Sequence, residues 1–392
     1  MAFACFGVAF VATGWLWVPW DAARGITPAT ATTVFTPEQI ARAEAYAGTS
    51  RLLSWTSLAV NLAVLTLLAT RGCRTWLIAR IPGPWWAQTI VAVVAVTAAV
   101  RLATLPFAYA LLRHRVVAGT SVQGVGDWLR DVAVSWLVGT SLQAVALVLL
   151  VAAIRSLPRV WPVVAGIGAA TFVVVGSLAY PVLVEPLFSD FTPLPAGQLR
   201  TDLFSMADEQ GIELGDVLVS DASARTTTLN AYVSGLGATK RVVLYDTLVE
   251  GASHDEVMVV VAHELAHAAN HDVWIGTTLG ALGAGAGMGL LGVWLGSRRH
   301  RGDAALVPVL LLAFAAATLL TDPVNSGVSR ALESRADADS LAATQAPDAF
   351  VAMHLELALR SLADPTPPRL SQWWWGSHPT VLERIGRTRE WE

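Results

Sequence analysis

The sequence predicts an all-α polytopic membrane protein of about seven transmembrane helices, with a small α+β domain outside the membrane. Three observations carry that prediction. The 392 residues are 54% hydrophobic and only 14% charged, against roughly a quarter charged in an average soluble domain. Apolar segments long enough to cross a hydrocarbon core of ~30 Å recur at 2–20, 52–70, 86–112, 132–154, 160–183, 273–296 and 304–320. Two long polar stretches break the pattern, one on each side of the last pair of apolar segments.

Taken in order, segment 2–20 has no positively charged leading region and no small-residue cleavage site. It therefore reads as a retained span rather than a cleaved signal peptide. It opens a five-span region, 1–184. The third span carries Arg101 near its middle, where a charge facing lipid is costly. A water-filled interior and packing against a backbone carbonyl are both open to it. Residues 185–272 form the first polar stretch, 273–320 a two-span hairpin, and 321–392 the second polar stretch. A hairpin returns the chain to the side it left, so both polar stretches face the same side of the membrane. Gly276, Gly280 and Ala284 give the sixth span a small-residue face suited to close helix packing.

The formal net charge of −4 excludes a basic nucleic-acid surface. Cys5 and Cys73, in an apolar segment and beside an arginine-rich loop, cannot supply a disulfide framework. Of 26 basic residues one, Lys240, is lysine, leaving 26 − 1 = 25 arginines, a bias expected of a GC-rich bacterial genome.

Within the first polar stretch, 198–210 has helical spacing and stops at Gly211, a C-cap residue. Segments 217–220, 230–234 and 241–245 read as short strands, the last two joined through Gly235-Leu236-Gly237. Segment 253–271 lacks proline and glycine and starts with the capping-box pair Ser253 and Glu256, which predicts a helix.

That helix carries His263-Glu264-Leu265-Ala266-His267. Imidazoles at i and i+4 lie one turn apart on one face and can reach a single tetrahedral ion. Zinc lowers the pKa of a bound water toward ~7, and the adjacent Glu264 is suited to take its proton as it attacks a peptide carbonyl. A catalytic zinc needs a third protein ligand. The metzincin histidine is absent, because that position is Val273. Glu333 lies 333 − 267 = 66 residues on, just past the seventh span and on the correct side. The predicted metal set is therefore His263, His267 and Glu333, with one zinc per chain, in a gluzincin-like metalloprotease domain. Asp337, one turn after Glu333, is placed either to orient a ligand histidine or to act as an acid near the leaving group.

In the segment Ser377-His378-Pro379-Thr380, His378 could stabilise an oxyanion or donate a proton. Arg384 could anchor an acidic partner such as Asp337, and is grouped with the substrate-holding residues. His271 extends the ligand face as an exposed or orienting residue; His114, His254, His300 and His354 receive no role.

These motifs resemble peptidase family M48, and the Ste24-like CAAX prenyl proteases more than the shorter HtpX-type proteases. The resemblance also rests on Glu185-Pro186-Leu187-Phe188 leaving the fifth span, Asn230-Ala231-Tyr232, and segments 241–248, 329–337 and 377–384. It implies a helical barrel around a hydrated chamber, closed by the zinc domain, with an extended substrate pairing with the strand at Asn230, Ala231 and Tyr232. It implies a membrane zinc endopeptidase acting on peptide or protein substrates, including lipidated ones, in contact with membrane lipid. The catalytic stretches are then cytosolic, in a bacterial plasma membrane. The positive-inside rule lends no support, because arginines such as Arg71, Arg74, Arg155 and Arg298 then lie outside. At 105–115 arginines replace an acidic cluster expected from the eukaryotic pattern.

Two other readings compete. One is an HtpX-like quality-control protease. The other is a non-catalytic scaffold or channel whose structural zinc takes a fourth ligand, His271 or His378. A site-2-type intramembrane protease is excluded by the lack of a later Leu-Asp-Gly segment. Oligomeric state is not legible.

Overall fold

A computed structural model of the chain describes residues 2–235, 240–296 and 303–390. The membrane region opens with helix α1 (Ala2–Trp17) and the short α2 (Ala31–Val34), followed by α3 (Pro37–Ala69) and α4 (Arg71–Ile78). It continues through α5 (Trp85–Ala118), α6 (Val125–Ser156) and α7 (Trp161–Leu183). Later come α11 (Asp272–Gly296) and α12 (Val307–Thr344).

Among the described residues six helices are long and apolar enough to cross a membrane: α3, α5, α6, α7, α11 and α12. The first expected segment, 2–20, forms α1, which has 16 residues. At 1.5 Å per residue that is about 24 Å, short of the ~30 Å core. It packs along α11 and α7. Close approach is possible because Gly166 and Gly285 lack side chains where the Phe6 ring sits.

Several helices outrun their apolar segments. α3 starts at a capping box, Thr36 with Gln39, and at Pro37, fifteen residues before the apolar run expected at 52. α12 passes through position 320 without interruption for 38 residues, roughly 57 Å. The helix continues through Pro323, so its lower part reaches from the membrane region into the polar domain, and no break in helix separates the hairpin from the second polar stretch.

The polar domain begins with a short strand β1 (Phe191–Pro193) and helix α8 (Gln198–Glu209). β2 (Asp216–Ser220), β3 (Ala231–Ser234) and β4 (Arg241–Tyr245) complete a sheet of order β1-β2-β4-β3. β2 and β4 are parallel, while β1–β2 and β3–β4 are antiparallel. Strands appear where expected, apart from β1, a three-residue segment ending in proline that is too short to show a period. The β3–β4 connection includes Leu236 and Gly237, which lie outside the described residues.

Helix α9 (Asp246–Gly251) leads to α10 (His254–Ala269). The Ser253 hydroxyl accepts from the Glu256 N–H and the Glu256 carboxylate accepts from the Ser253 N–H, so both halves of the capping box form. Val257, Val261 and Leu265, spaced four apart, are buried in one core with Val217, Val242 and Leu244 of the sheet. The helix ends earlier than expected, at an Asn270 cap, because His271 turns left-handed with φ 56° and starts α11 in a new direction. Helices α13 (Pro347–Ser361), α14 (Arg369–Trp375) and α15 (Val381–Arg387) close the chain around α10 and α12.

Candidate active site

Helix α10 presents His263, Glu264 and His267 on the side turned toward α12, with its apolar side committed to the sheet. Glu333 meets them from α12. Its Oε2 lies 3.3 Å from His263 Nε2 and its Oε1 lies 3.5 Å from His267 Nε2, while the two Nε2 atoms are 3.2 Å apart. Among the described residues these three form the one group whose His, Cys, Asp or Glu ligand atoms converge, all within 4.8 Å. Two imidazole nitrogens and a carboxylate oxygen suit zinc, and three protein ligands leave a fourth position for water or substrate.

Each histidine is held from behind by a carboxylate. Asp272 Oδ2 stands 2.7 Å from His267 Nδ1, and Asp272 also receives Arg335. Asp337 Oδ1 stands 3.0 Å from His263 Nδ1, at ion-pair distance but short of an aligned hydrogen bond. A partner on Nδ1 fixes the tautomer that leaves Nε2 free for a metal. Arg384 completes the frame from α15, bonded to Glu333 and 3.4 Å from Asp337. Its guanidinium is thus spent on protein carboxylates rather than directed at the strand edge.

Charge in this frame favours a cation. Burial lowers the His267 imidazole, but Asp272 and Glu333 outweigh it and hold it up at about 10. Without a metal the site would therefore keep a proton on that imidazole. Burial raises the Glu264 carboxyl above its ordinary value.

His378 reaches the group from the segment after α14. Its Nε2 is 3.4 Å from Glu333 Oε1, its Nδ1 is 2.8 Å from the Ser377 hydroxyl, and its side chain is 61% exposed. Asn230 is exposed at the start of β3, Ala231 is buried, and Tyr232 pairs with Val243. Burial raises the Tyr232 phenol out of the titrating range. His271 is exposed and outside the converging group.

Asp272, Arg335 and His354 were not legible as site residues. His354 is buried, 4.0 Å from Asp337 and edge-on to Phe350. Asp272 carried one signal, a carboxylate five residues after a ligand histidine, but only the reversal at His271 folds it back onto the ring.

A helical membrane region joined to a domain in which two helical histidines, an adjacent glutamate and a second carboxylate come together defines the class of membrane metalloproteases. The chain belongs to peptidase family M48: residues 193–392 match that family's description, and residues 21–190 match "CAAX prenyl protease N-terminal, five membrane helices". It is 27% identical over 381 residues to the Bacillus subtilis "Uncharacterized metalloprotease YhfN", covering 93% of this chain and 88% of that one. It is 47% identical over 88 residues to CAAX prenyl protease 1 of Saccharomyces cerevisiae, covering 22% of this chain and 19% of that protein. The crystal structure of S. mikatae Ste24p superposes with a TM-score of 0.79 at 20% identity, covering 98% of this chain and 97% of that one. That likeness shows a shared fold.

Proposed function

We propose that this chain is a membrane-embedded zinc endopeptidase of the CAAX prenyl protease type, cleaving membrane or lipidated polypeptides. The observation that carries the proposal is the convergence of His263, His267 and Glu333 beside Glu264, with a carboxylate behind each imidazole. Zinc bound to those three residues would polarise the scissile carbonyl and make a water acidic enough to react near neutral pH.

The chain's own residues supply the remaining chemistry. Glu264 would accept the proton of the attacking water and return it to the leaving amine. Asp272 and Asp337 hold the ligand imidazoles in one tautomer. Asp337 is 1% exposed, which favours orientation over the alternative of an acid meeting substrate. His378 is the exposed polar group beside Glu333, placed to donate to the developing oxyanion or to the leaving group. Arg384 offsets the charge of Glu333 and Asp337.

β3 is an edge strand, so an extended substrate can add to it by β-augmentation beside α10. The Asn230 carbonyl bonds the Tyr245 N–H. By alternation Ala231 and Val233 then turn their backbone groups to the open side. The scaffold reading needs a fourth protein ligand; exposure of His271 weighs against it, and so does the 61% exposure of His378. We place the protease domain in the cytosol; labelling of a cysteine introduced at Ser253 from outside intact cells would overturn that orientation.

The direct test is cleavage of a quenched fluorescent farnesylated CAAX peptide by detergent-purified protein, with bound zinc measured in parallel. Cleavage should disappear in Glu264→Gln and in chelator-treated samples. Absence of bound zinc in the untreated protein refutes the proposal, and zinc-loaded protein that cuts only non-prenylated membrane proteins moves it to the quality-control reading.

A further inference from the structure

Charge is segregated between the two ends of the membrane helices. The turn after α5 bridges the protease domain through Ser121 and Thr226, and α7 ends at Leu183, just before β1. The connections α3 to α5, α6 to α7 and α11 to α12 therefore lie at the far end. No Asp or Glu occurs between Glu44 and Asp127, between Asp131 and Glu185, between Asp272 and Asp303, or between Asp303 and Asp322. Those connections hold Arg71, Arg74 and Arg80, then Arg155 and Arg159, and last Arg298, Arg299 and Arg301, which lie outside the described residues. Asp303 is the one carboxylate among them. The rest of the chain then has 26 − 8 = 18 basic residues against 30 − 1 = 29 acidic ones, so the mild net charge of −4 conceals a strongly basic end. At the opposite end of the same helices the signs mix, with Glu38, Glu44 and Asp127 beside Arg42, Arg113 and Arg115 in sequence.

Packing brings the basic connections together. Leu306, in a short 3-10 turn at Ala304–Leu306, is buried with Ile154 and Trp161, while the next residue, Val307, is buried with Ile81 against Leu77 and Ile78 of α4. Arg155 lies over the Trp85 ring at 5.3 Å, which ties the last turn of α6 to the start of α5. Arg80 covers the Trp76 ring at 3.9 Å and donates to the Trp76 carbonyl at 3.0 Å. Arg71, Arg80 and Arg159 are exposed, and the Arg74 Nε is buried without a hydrogen-bond partner among the described residues. Asp303 caps its own turn, accepting from the Ala305 N–H at 3.0 Å. Trp76 and Trp86 are 58% and 50% exposed, so large aromatic rings stand with the arginines where the apolar runs end. Amphipathic side chains of both kinds suit the level of lipid headgroups, with stems and rings toward hydrocarbon and charges toward water.

We propose that the end of the helical region far from the protease domain is a binding surface for anionic phospholipid headgroups, formed by Arg71, Arg74 and Arg80 of the α3–α5 connection and Arg159 of the α6–α7 connection. Phosphate oxygens accept paired hydrogen bonds from a guanidinium, and an anionic headgroup brings no cation of its own to compete, as a choline headgroup does. Each arginine at such a surface adds an increment of attraction to anionic lipid. Exposed Trp76 and Trp86 at the ends of apolar helices favour lipid over an acidic protein as the occupant. Headgroup charge alone sets the binding, which is independent of the protease chemistry and of the leaflet in which this end lies.

The test is a lipid titration of the full-length protein in detergent, with bound lipids counted by native mass spectrometry. Phosphatidylglycerol and phosphatidylcholine of the same acyl chains are compared, and the first phosphatidylglycerol should bind at least tenfold more tightly. The combined variant Arg71→Gln, Arg74→Gln, Arg80→Gln and Arg159→Gln should bind the two lipids alike, and the corresponding set of Arg→Lys changes should keep the preference. Should the combined variant fail to fold, the exposed single changes Arg71→Gln and Arg159→Gln carry the test, each expected to weaken phosphatidylglycerol binding about fivefold. Arg113→Gln with Arg115→Gln, at the other end of α5, should leave the preference intact. Affinities within twofold for the two lipids in the parent protein overturn the proposal and turn the search to an acidic protein partner. A preference that survives the glutamine changes, or that is lost equally in the Arg113 and Arg115 control, overturns it as well. Inorganic phosphate at ten times the lipid concentration should leave phosphatidylglycerol bound, and displacement by it would make this a free-anion site rather than a lipid surface.

Discussion

Replacing Asp272 with asparagine tests whether His267 is a metal ligand held from behind. Asp272 is 7% exposed, lies 2.7 Å from His267 Nδ1 and also receives Arg335. An asparagine has one accepting oxygen for these two donors, and its NH2 group would face one of them. The imidazole thereby loses the negative charge that makes its other nitrogen a better donor to metal. Loss of such a partner weakens metal binding about 10- to 100-fold, or roughly 1.4–2.7 kcal/mol. Asp272→Asn keeps an acceptor and belongs near the lower figure, while Asp272→Ala belongs near the upper. The assay is zinc competition against a fluorescent chelator, with Asp339→Asn as control. Among the described residues Asp339 accepts from the Asn270 side chain at 2.7 Å and touches neither ligand histidine, so its change should leave zinc affinity within twofold. Equal zinc affinity in wild type and Asp272→Ala would refute the assignment of His267 as an oriented ligand.

Other outcomes follow from the same geometry. Glu264→Gln should keep one zinc per chain and lose about 10²- to 10⁴-fold in turnover, measured with the quenched peptide; loss of zinc instead would make Glu264 a ligand. Arg384→Gln removes the cation between Glu333 and Asp337, whose side chains are 13% and 1% exposed, and should lower apo-protein stability by about 3 kcal/mol, seen as a drop in Tm under chelation. Val233→Pro deletes an outward N–H of β3 without touching its pairing to β4, and should raise KM while zinc content holds; an unchanged KM would argue against β3 as the docking edge. Burial, with Arg384 next, lowers His354 to about 3. Its folded pKa thus lies below the unfolded value near ~6.5, so its contribution is complete above that pH and is lost as pH falls toward 3. His354→Leu should flatten the decline of Tm across that window, and an unaltered slope would show that His354 does not titrate on unfolding.

How much of this was legible in the sequence depended on how local the signal is. Helix α10 and strands β2 to β4 were readable because a capping box, a four-residue apolar spacing and short β-rich runs act within a few residues. β1 was not, since three residues cannot display an alternation. Glu333 was reached by topology rather than proximity, because the even number of crossings between the two polar stretches puts them on one side. Asp272 and Arg335 escaped because their contact needs both the left-handed reversal at His271 and the approach of α12.

The sequence by itself determined the membrane class, the run of apolar segments and the spacing of His263, Glu264 and His267 on one helical face, because composition and periodicity are local properties of the chain. Only the tertiary structure decided that α12 is one unbroken post carrying Glu333 and Asp337 up to that face. It alone placed Arg384 between those two carboxylates and pressed the α5–α6 turn against residues 225–227. Those arrangements join residues separated by 47 to 108 positions, and such contacts are set by the packing of whole elements rather than by any nearby residue pattern.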